Sequence, residues 1–454
     1  MRILKGMVTG LGAMLVTGAA MAGVSQQEAT ALGTSLTEFG AEQAGNADKT
    51  IPAYTGGLHA TTAPAGWKQG SGRYDVGPYD GEKPLYSITA ANYQKYSDKL
   101  TGGTAAMFKK YPQFRMDVYP THRSIAHSSD WLAHCKTNAL NATISSSGNA
   151  VDNAHSCVPF PIPKTGAEVV WNSVLTDIWG PHTDYRTSTW LVDADGHLTD
   201  IGRVDVEFTN TYQDPKSDTL QGGVWQYQRA SWVGPPSQVG TKILATYPMD
   251  YDKADSRVWV YMPGQRRTRL APEFSYDTPV AADGGALNYD ERMGFNGSLD
   301  RYDFKIVGKK EVYVMYNANR MMFAPTDKLF SKSIVNPDVS RWELHRVWVV
   351  EATLKPGKRH VEPRRTFYID EDSWTIAASD AYDQAGNLFK VGFYPTLPIW
   401  DAQAVAESII FYDLSRGTTY VQAFSRPDDM MRTSDKIGNL SRLTAAALTE
   451  SGVR

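Results

Sequence analysis

The sequence predicts a mainly β protein with a few helices: an antiparallel sheet curling into a barrel or half-barrel, covered by those helices and by a long irregular amino-terminal arm. Three observations carry this expectation. From about Thr187 onward, nearly every segment is a short run of β-branched and aromatic residues that ends at a Gly, Asp or Pro turn. The turns have hairpin chemistry, with Pro263-Gly264, Pro356-Gly357, Ala194-Asp195-Gly196 and Gln384-Ala385-Gly386-Asn387 supplying fixed or positive φ values for short connections. Aromatics make up 11% of the 454 residues, with 24 Tyr and 12 Trp, and they recur inside these runs, as in a sheet with a large apolar interior or groove.

The amino terminus reads as an export signal. Arg2 and Lys5 precede an apolar run over residues 7–21, and Ala20-Met21-Ala22 has the small-x-small form of a signal-peptidase site, so cleavage is expected after Ala22. The run is shorter than the ~20 residues of a spanning helix, and no cysteine near it could accept a lipid. Residues 1–22 are thus expected to be a signal peptide, and the mature chain a soluble periplasmic protein with no stable membrane span.

Ser25-Gln-Gln-Glu28 has the form of a capping box and starts a short helix that Gly33 can end. Residues 36–84 are rich in Gly, Pro and Thr with little periodicity, which describes an arm running over another element. Tyr93, Tyr96 and Leu100 restore helical spacing, and a further short helix over 105–110 stops before Pro112. After the rigid Pro159-Phe-Pro-Ile-Pro163 stretch, Thr165 and Glu168 form a second capping box ahead of Val169, Val170, Trp171 and Val174, the best helix in the chain. Strands are expected over 188–193, 202–209, 224–232, 242–247, 257–262, 304–307, 311–316, 343–354, 364–369, 375–381, 388–394 and 418–425. The organisation that follows is an amino-terminal region of helices and arm (23–164), a half-barrel domain (165–430) and a carboxy-terminal tail (431–454).

The formal charge of −3, with 46 basic and 49 acidic side chains, shows no basic excess and argues against nucleic acid as a partner. The only cysteines, Cys135 and Cys157, lie in the exported part, where thiols oxidise, and are expected to pair; a Cys/His metal set with His134 and His155 is the weaker reading because its spacing fits no usual zinc pattern. No nucleophile elbow, helical His pair or phosphate-cradling Gly loop is present, and no cofactor is implied. His122 and His127, flanking Arg123 and Ser124, read as structural polar contacts, Asp193-Ala-Asp195-Gly196 as a hairpin turn and not a calcium loop, and Asp370-Glu371-Asp372 as a solvated turn. Arg364 and Arg365 are adjacent on one strand and so occupy opposite faces, which requires one of them to be paired if its face is covered.

Several strands are apolar on both faces, so at least one face needs a cover or a ligand. Trp259, Tyr261, Met315, Trp348 and Phe367 are the candidate wall residues of a groove, although alternation turns some of them into the core. Arg267 and Arg269 are candidates for its rim, where they would meet an anionic headgroup.

At Arg257-Val-Trp-Val-Tyr-Met-Pro-Gly-Gln-Arg-Arg-Thr-Arg-Leu270 the chain resembles the hairpin of the outer-membrane lipoprotein-sorting (LolA/LolB-like) proteins. With Phe295-Asn-Gly-Ser-Leu-Asp-Arg-Tyr-Asp-Phe-Lys-Ile-Val-Gly-Lys-Lys-Glu311, the Arg341 to Lys358 hairpin arm and Phe367-Tyr-Ile-Asp-Glu-Asp-Ser-Trp374, it resembles an exported Gram-negative family of unknown function that shares the Lol-like half-barrel. The segments Gly40 to Asn46, Ile51 to Gly57, Tyr119 to Arg123 and Pro159 to Pro163 extend the likeness over nearly the whole mature chain; Cys135 and Cys157 depart from it. The resemblance implies a concave sheet that holds an acyl chain or other lipophile. It also implies a role beside an inner-membrane exporter of the resistance-nodulation-division type, and it carries over no catalytic residue. The function read from the sequence is a periplasmic carrier or binding protein for a lipophilic molecule; the alternatives are an enzyme acting on a lipophilic substrate and a noncatalytic scaffold.

Overall fold

A computed structural model describes residues 23–451 apart from 177, 215, 218–219 and 272–275; the expected signal peptide, with its cleavage after Ala22, lies outside the described residues. Sixteen strands form one open, curved sheet. They are β1 (Tyr86–Thr89), β2 (Arg115–Val118), β3 (His182–Val192), β4 (Leu198–Asn210), β5 (Val224–Gly234), β6 (Lys242–Pro248), β7 (Arg257–Met262) and β8 (Arg267–Leu270). The rest are β9 (Tyr302–Met315), β10 (Trp342–Leu354), β11 (Arg364–Asp370), β12 (Ile376–Tyr382), β13 (Leu388–Phe393), β14 (Ile410–Asp413), β15 (Thr418–Ala423) and β16 (Met430–Ser434).

The main path runs β9-β10-β11-β12-β13-β14-β15-β3-β4-β5-β6-β7-β8, antiparallel throughout. β15 pairs the second half of β3 and β16 the first, while the β1–β2 hairpin joins β10 through one parallel pair, Val118 with Trp342. Mainly β architecture with few helices is therefore what the hairpin pattern expected, and the sheet is not closed into a barrel.

Side-chain alternation gives the sheet two buried faces. Val347 and Val349 of β10, Tyr368 of β11, Tyr412 of β14 and Val421 of β15 point to one core, which α2 (Gly102–Lys110) covers with Met107 and Phe108. Val350, Phe367, Ile369, Phe411 and Tyr420 point to the other, covered by α3 (Ser129–Asn141) and α4 (Gly166–Val174). The capping box of α4 forms as expected, Thr165 accepting from the Glu168 amide and Glu168 accepting from the Thr165 amide. Gly166 lets α4 begin directly on β9, where any Cβ would stand 2.5 Å from the Phe304 carbonyl carbon. The Ser25 capping box of α1 (Gln26–Ala29) also forms.

Three expectations are corrected. Residues 304–307 and 311–316 belong to one strand, β9: Gly308, at φ 150°, makes a bulge that shifts register between Ile306 and Gly308 instead of a turn. Helix α3 lies where the sequence pattern assigned no element. Asp370, Glu371 and Asp372 are not solvated but at most 2% exposed, because basic side chains from elsewhere converge on them. Arg123 forks onto Asp372 at 2.6 and 2.8 Å, and Lys309 and Arg346 reach Glu371 at 2.8 and 3.2 Å.

Cys135 of α3 and Cys157 are joined in a disulfide and fully buried, so neither sulfur is open to a metal. The Pro-rich stretch after Cys157 is fastened to α4 by a reciprocal pair of hydrogen bonds between Asn172 and the Phe160 backbone.

Candidate ligand-binding cavity

Between β8 and β9 the chain leaves the sheet and residues 276–300 fold back over its α4-side face. Alternation explains why this segment is held: Arg365 of β11 and Lys390 of β13 point to that face and meet acids of the segment. Asp290 pairs with Arg365 at 3.1 Å and with His360 at 3.0 Å, and Lys390 contacts both oxygens of Glu291 at 2.7 and 2.8 Å. Burial works against the Asp290 carboxylate, but Arg365 and His360 hold it well below its usual range. Burial, reinforced by the neighbouring charge of Glu362, pushes the Glu291 carboxyl up against the pull of Lys390, and burial opposes the Lys390 charge that Glu291 and Glu362 keep in place. Arg365 is thus paired on the covered face, while Arg364 lies on the other over the Tyr382 ring at 3.4 Å.

At its far end this cover and strands β6 and β7 enclose a cavity of about 210 Å³. Its wall is made by Tyr247, Tyr251, Val258, Tyr276, Tyr289 and Asn296, with Gly297 and Ser298 beside them and the exposed Asp255 and half-buried Ser256 at its edge. Burial raises the phenols of Tyr247 and Tyr251, and Tyr276 goes up to about 12, so the rings stay neutral at physiological pH. The lining combines aromatic faces with hydroxyl tips and, among the described residues, offers Asp255 as its one charged side chain.

Further spaces flank the same segment, two of them beside Phe295 to Leu299. A small one of about 10 Å³ lies against Ser173, Trp225, Gln226, Phe295 and Asn296, and an open groove of about 380 Å³ runs along Ser145–Gly148, Ala167, Leu299, Tyr302 and Phe304. The five residues Phe295-Asn-Gly-Ser-Leu299 therefore touch all three spaces. Ser298 and the Leu299 amide are anchored on Asn149 at 2.9 and 2.8 Å.

This segment sits within a stretch, residues 87–449, that matches the family described as a protein of unknown function, DUF1329. The chain belongs to that family. An uncharacterized protein of Pseudomonas aeruginosa is 37% identical over 438 residues, covering 96% of this chain and 95% of the relative. Among solved structures, a putative outer membrane lipoprotein-sorting protein domain from Vibrio parahaemolyticus is similar with a TM-score of 0.42 and 12% identity, over 63% of this chain and 98% of that one. A DUF1329 family protein from Desulfovibrio piger gives 0.40 and 15%, over 59% and 92%. A LolA superfamily protein from Nitrosomonas europaea gives 0.35 and 13%, over 62% and 98%.

In this DUF1329 chain the sequence-derived wall residues fall into three separate clusters. Phe367 is buried on the cavity-side face, edge-on to Phe295 at 5.9 Å, and Trp348 lies on that face, half-buried, stacked near Trp374 with the Lys309 ammonium 4.8 Å from its ring. Met315 belongs to the opposite core. Tyr261 and Trp259 pack with Leu244 under α5 (Ala445–Glu450), whose Leu448 completes that group. Arg267 and Arg269 are exposed on edge strand β8 and line none of the three spaces.

Tyr251, Tyr276 and Tyr289 stand at a turn and in the cover, outside the strand runs that carry period-2 patterning, whereas Tyr247 lies inside the expected strand 242–247, where nothing local sets it apart from the other aromatics. Asn296 lies inside the Phe295 to Glu311 motif. Two three-residue groups, His182–Asp184–Glu207 and Asp193–Asp195–His197, bring ligand-type atoms within 4.8 Å of one another and could hold a metal; the second is the hairpin turn between β3 and β4, where Asp193 accepts from the amides of Asp195 and His197.

Proposed function

We propose that this protein is an exported, periplasmic carrier or binding protein for a lipid or other lipophilic molecule. The observation that supports the reading is the tyrosine-lined cavity between the sheet and the pinned segment 276–300. Its size exceeds the ~150 Å³ that accommodates a benzene-sized guest in an engineered apolar cavity, so it takes a ring or a stretch of acyl chain. Each sequestered CH₂ contributes about 0.8 kcal/mol, which retains such a guest without a covalent bond. An enzyme would need titratable groups converging on the guest, and a scaffold would have this space filled by side chains; phenols, amides and one exposed carboxylate around an open volume fit neither as well. No helix among the described residues is long and apolar enough to cross a membrane, in keeping with delivery of the guest to a partner. By the sequence resemblance that partner is an inner-membrane exporter of the resistance-nodulation-division type, with Arg267 and Arg269 on the exposed edge as the docking or headgroup contacts.

The test is a titration of delipidated protein with the uncharged fluorophore N-phenyl-1-naphthylamine. Saturable binding is expected, and Ser256→Trp, which fills the cavity from its edge, should abolish it while circular dichroism stays unchanged. Absence of saturable binding to the folded wild-type protein overturns the carrier reading.

A further inference from the structure

The small space behind Asn296 has a chemistry that its size makes informative. Ser173, Trp225, Gln226 and Asn296 all line it, all four residues are at most 5% exposed, and Ser173 Oγ, Trp225 Nε1, Gln226 Oε1 and Asn296 Oδ1 have no hydrogen-bond partner among the described residues. Buried polar groups are nearly always paired, and four orphans on residues around one space mark a place built for something polar.

The orientation of Gln226 is set by its neighbours. Asn210 spends its Nδ2 donating to the carbonyls of Ile178 and Gly180, at 3.1 and 2.6 Å, so its Oδ1 is an acceptor. Gln226 must meet it with Nε2, at 2.8 Å, which leaves Oε1 as a fixed acceptor on the space. Trp225 Nε1 can only donate. The space thus presents a donor, at least one fixed acceptor and the adaptable hydroxyl of Ser173. A hydroxyl group, which both donates and accepts, matches this set.

Size and charge exclude the larger alternatives. A volume of about 10 Å³ admits one water-sized group and not a carboxylate or phosphate. Among the described residues neither this space nor the tyrosine cavity has a Lys or Arg in its wall, so a buried anion would go uncompensated by them. Asn296 belongs to both walls, so the polar space and the tyrosine cavity are neighbours at that residue.

We infer that the space behind Asn296 seats the hydroxyl of a lipophilic alcohol whose apolar body occupies the tyrosine cavity. This rests on the carrier reading and gives it a ligand class: a neutral, hydroxyl-bearing lipophile, not a fatty acid or a phospholipid headgroup.

The experiment displaces N-phenyl-1-naphthylamine from the mature protein with 1-octanol, octane and octanoate. The alcohol should bind about tenfold more tightly than either other probe, the worth of one or two net hydrogen bonds. Ser173→Val, which fills the space, and Trp225→Phe, which removes the donor, should bring octanol down to the level of octane and leave octane unchanged. Equal affinity of octanol and octane for the wild type means that the space holds ordered water only and overturns the inference while the carrier reading stands. Tightest binding by octanoate overturns it as well. Failure of the fluorophore itself to bind removes the carrier reading and the inference with it.

Discussion

His127 shows how much a single buried proton can weigh. Its ring stacks on Trp131 at 4.1 Å and meets Phe39 edge-on, Nε2 donates to the Asp372 carbonyl at 3.1 Å, and Nδ1 has no partner. Burial lowers its pKa to about 4, despite the opposing pull of Asp372. Above its ordinary value near 6.5 the imidazole is neutral in both the folded and the unfolded chain. As pH falls below that, the unfolded chain takes up a proton that the folded one refuses until about 4, so stability declines across this window by on the order of 3 kcal/mol. Urea midpoints of the wild type should therefore drop faster from pH 7 to pH 4 than those of His127→Phe, whose lower starting stability reflects the lost hydrogen bond. Parallel curves would show that His127 titrates normally. A second residue-scale expectation concerns Cys135 and Cys157, 22 positions apart. Loop-closure entropy assigns their bond about 3 kcal/mol, so Cys135→Ser with Cys157→Ser should lower the urea midpoint accordingly, and denatured, unreduced wild type should take up no thiol label.

At the scale of elements, α4 is the helix whose packing the sequence announced most clearly. Trp171 is fully buried, and its Nε1 donates to the Gly148 carbonyl at 3.0 Å. Trp171→Ala should cost about 3 kcal/mol or more, read as a urea midpoint; an unchanged midpoint would make the helix peripheral. The segment 276–300 is held differently, by charges. Asp290→Ala removes the anion that Arg365 and His360 share and leaves Arg365 with Glu362 at 2.6 Å, a loss of at most roughly 3–5 kcal/mol, and amide exchange should rise across 276–300 while β10 and β11 stay protected. Equal exchange in variant and wild type would show that apolar packing alone keeps the cover down. These two elements also explain what was legible. Capping boxes and hairpin turns are local, so α1, α4 and most strands of the meander from β3 to β15 could be read from neighbouring residues, although the four-residue β14 was not expected and β9 was split at its bulge. Helix α3 could not, because the buried Asn138 interrupts its apolar stripe in order to hold the carbonyls of His155, Cys157 and Val158. The cavity was hidden for a related reason: its cover is pinned by pairs such as Asp290 with Arg365, 75 positions apart, and no window of sequence displays both. Asp370 to Asp372 look solvated for as long as Arg123 and Lys309 are out of view.

For the whole molecule, an open sheet has to manage two edges, since unpaired strand backbones template association. The edge at β9 carries the Gly308 bulge and is met by the amino-terminal arm, where Asn46 reaches Glu311 at 3.0 Å and Glu42 reaches Lys309 at 3.4 Å. The edge at β8 is managed by brevity and charge. It is four residues long, Arg267 and Arg269 are exposed on it, Arg266 precedes it in a left-handed conformation, and α5 touches it through Thr449 on Thr268. Leu270, 53% exposed, is its one large apolar side chain. If the arginines keep this edge from pairing, the double variant Arg267→Val with Arg269→Val should present a β-branched apolar edge and associate with rising concentration in light scattering. Arg267→Lys with Arg269→Lys should behave as the wild type does, because charge and not guanidinium geometry is what blocks a second strand. Should the valine variant scatter like the wild type, α5 would be the element guarding the edge, and deleting residues 445–450 in that variant should then release the association that the valines alone did not.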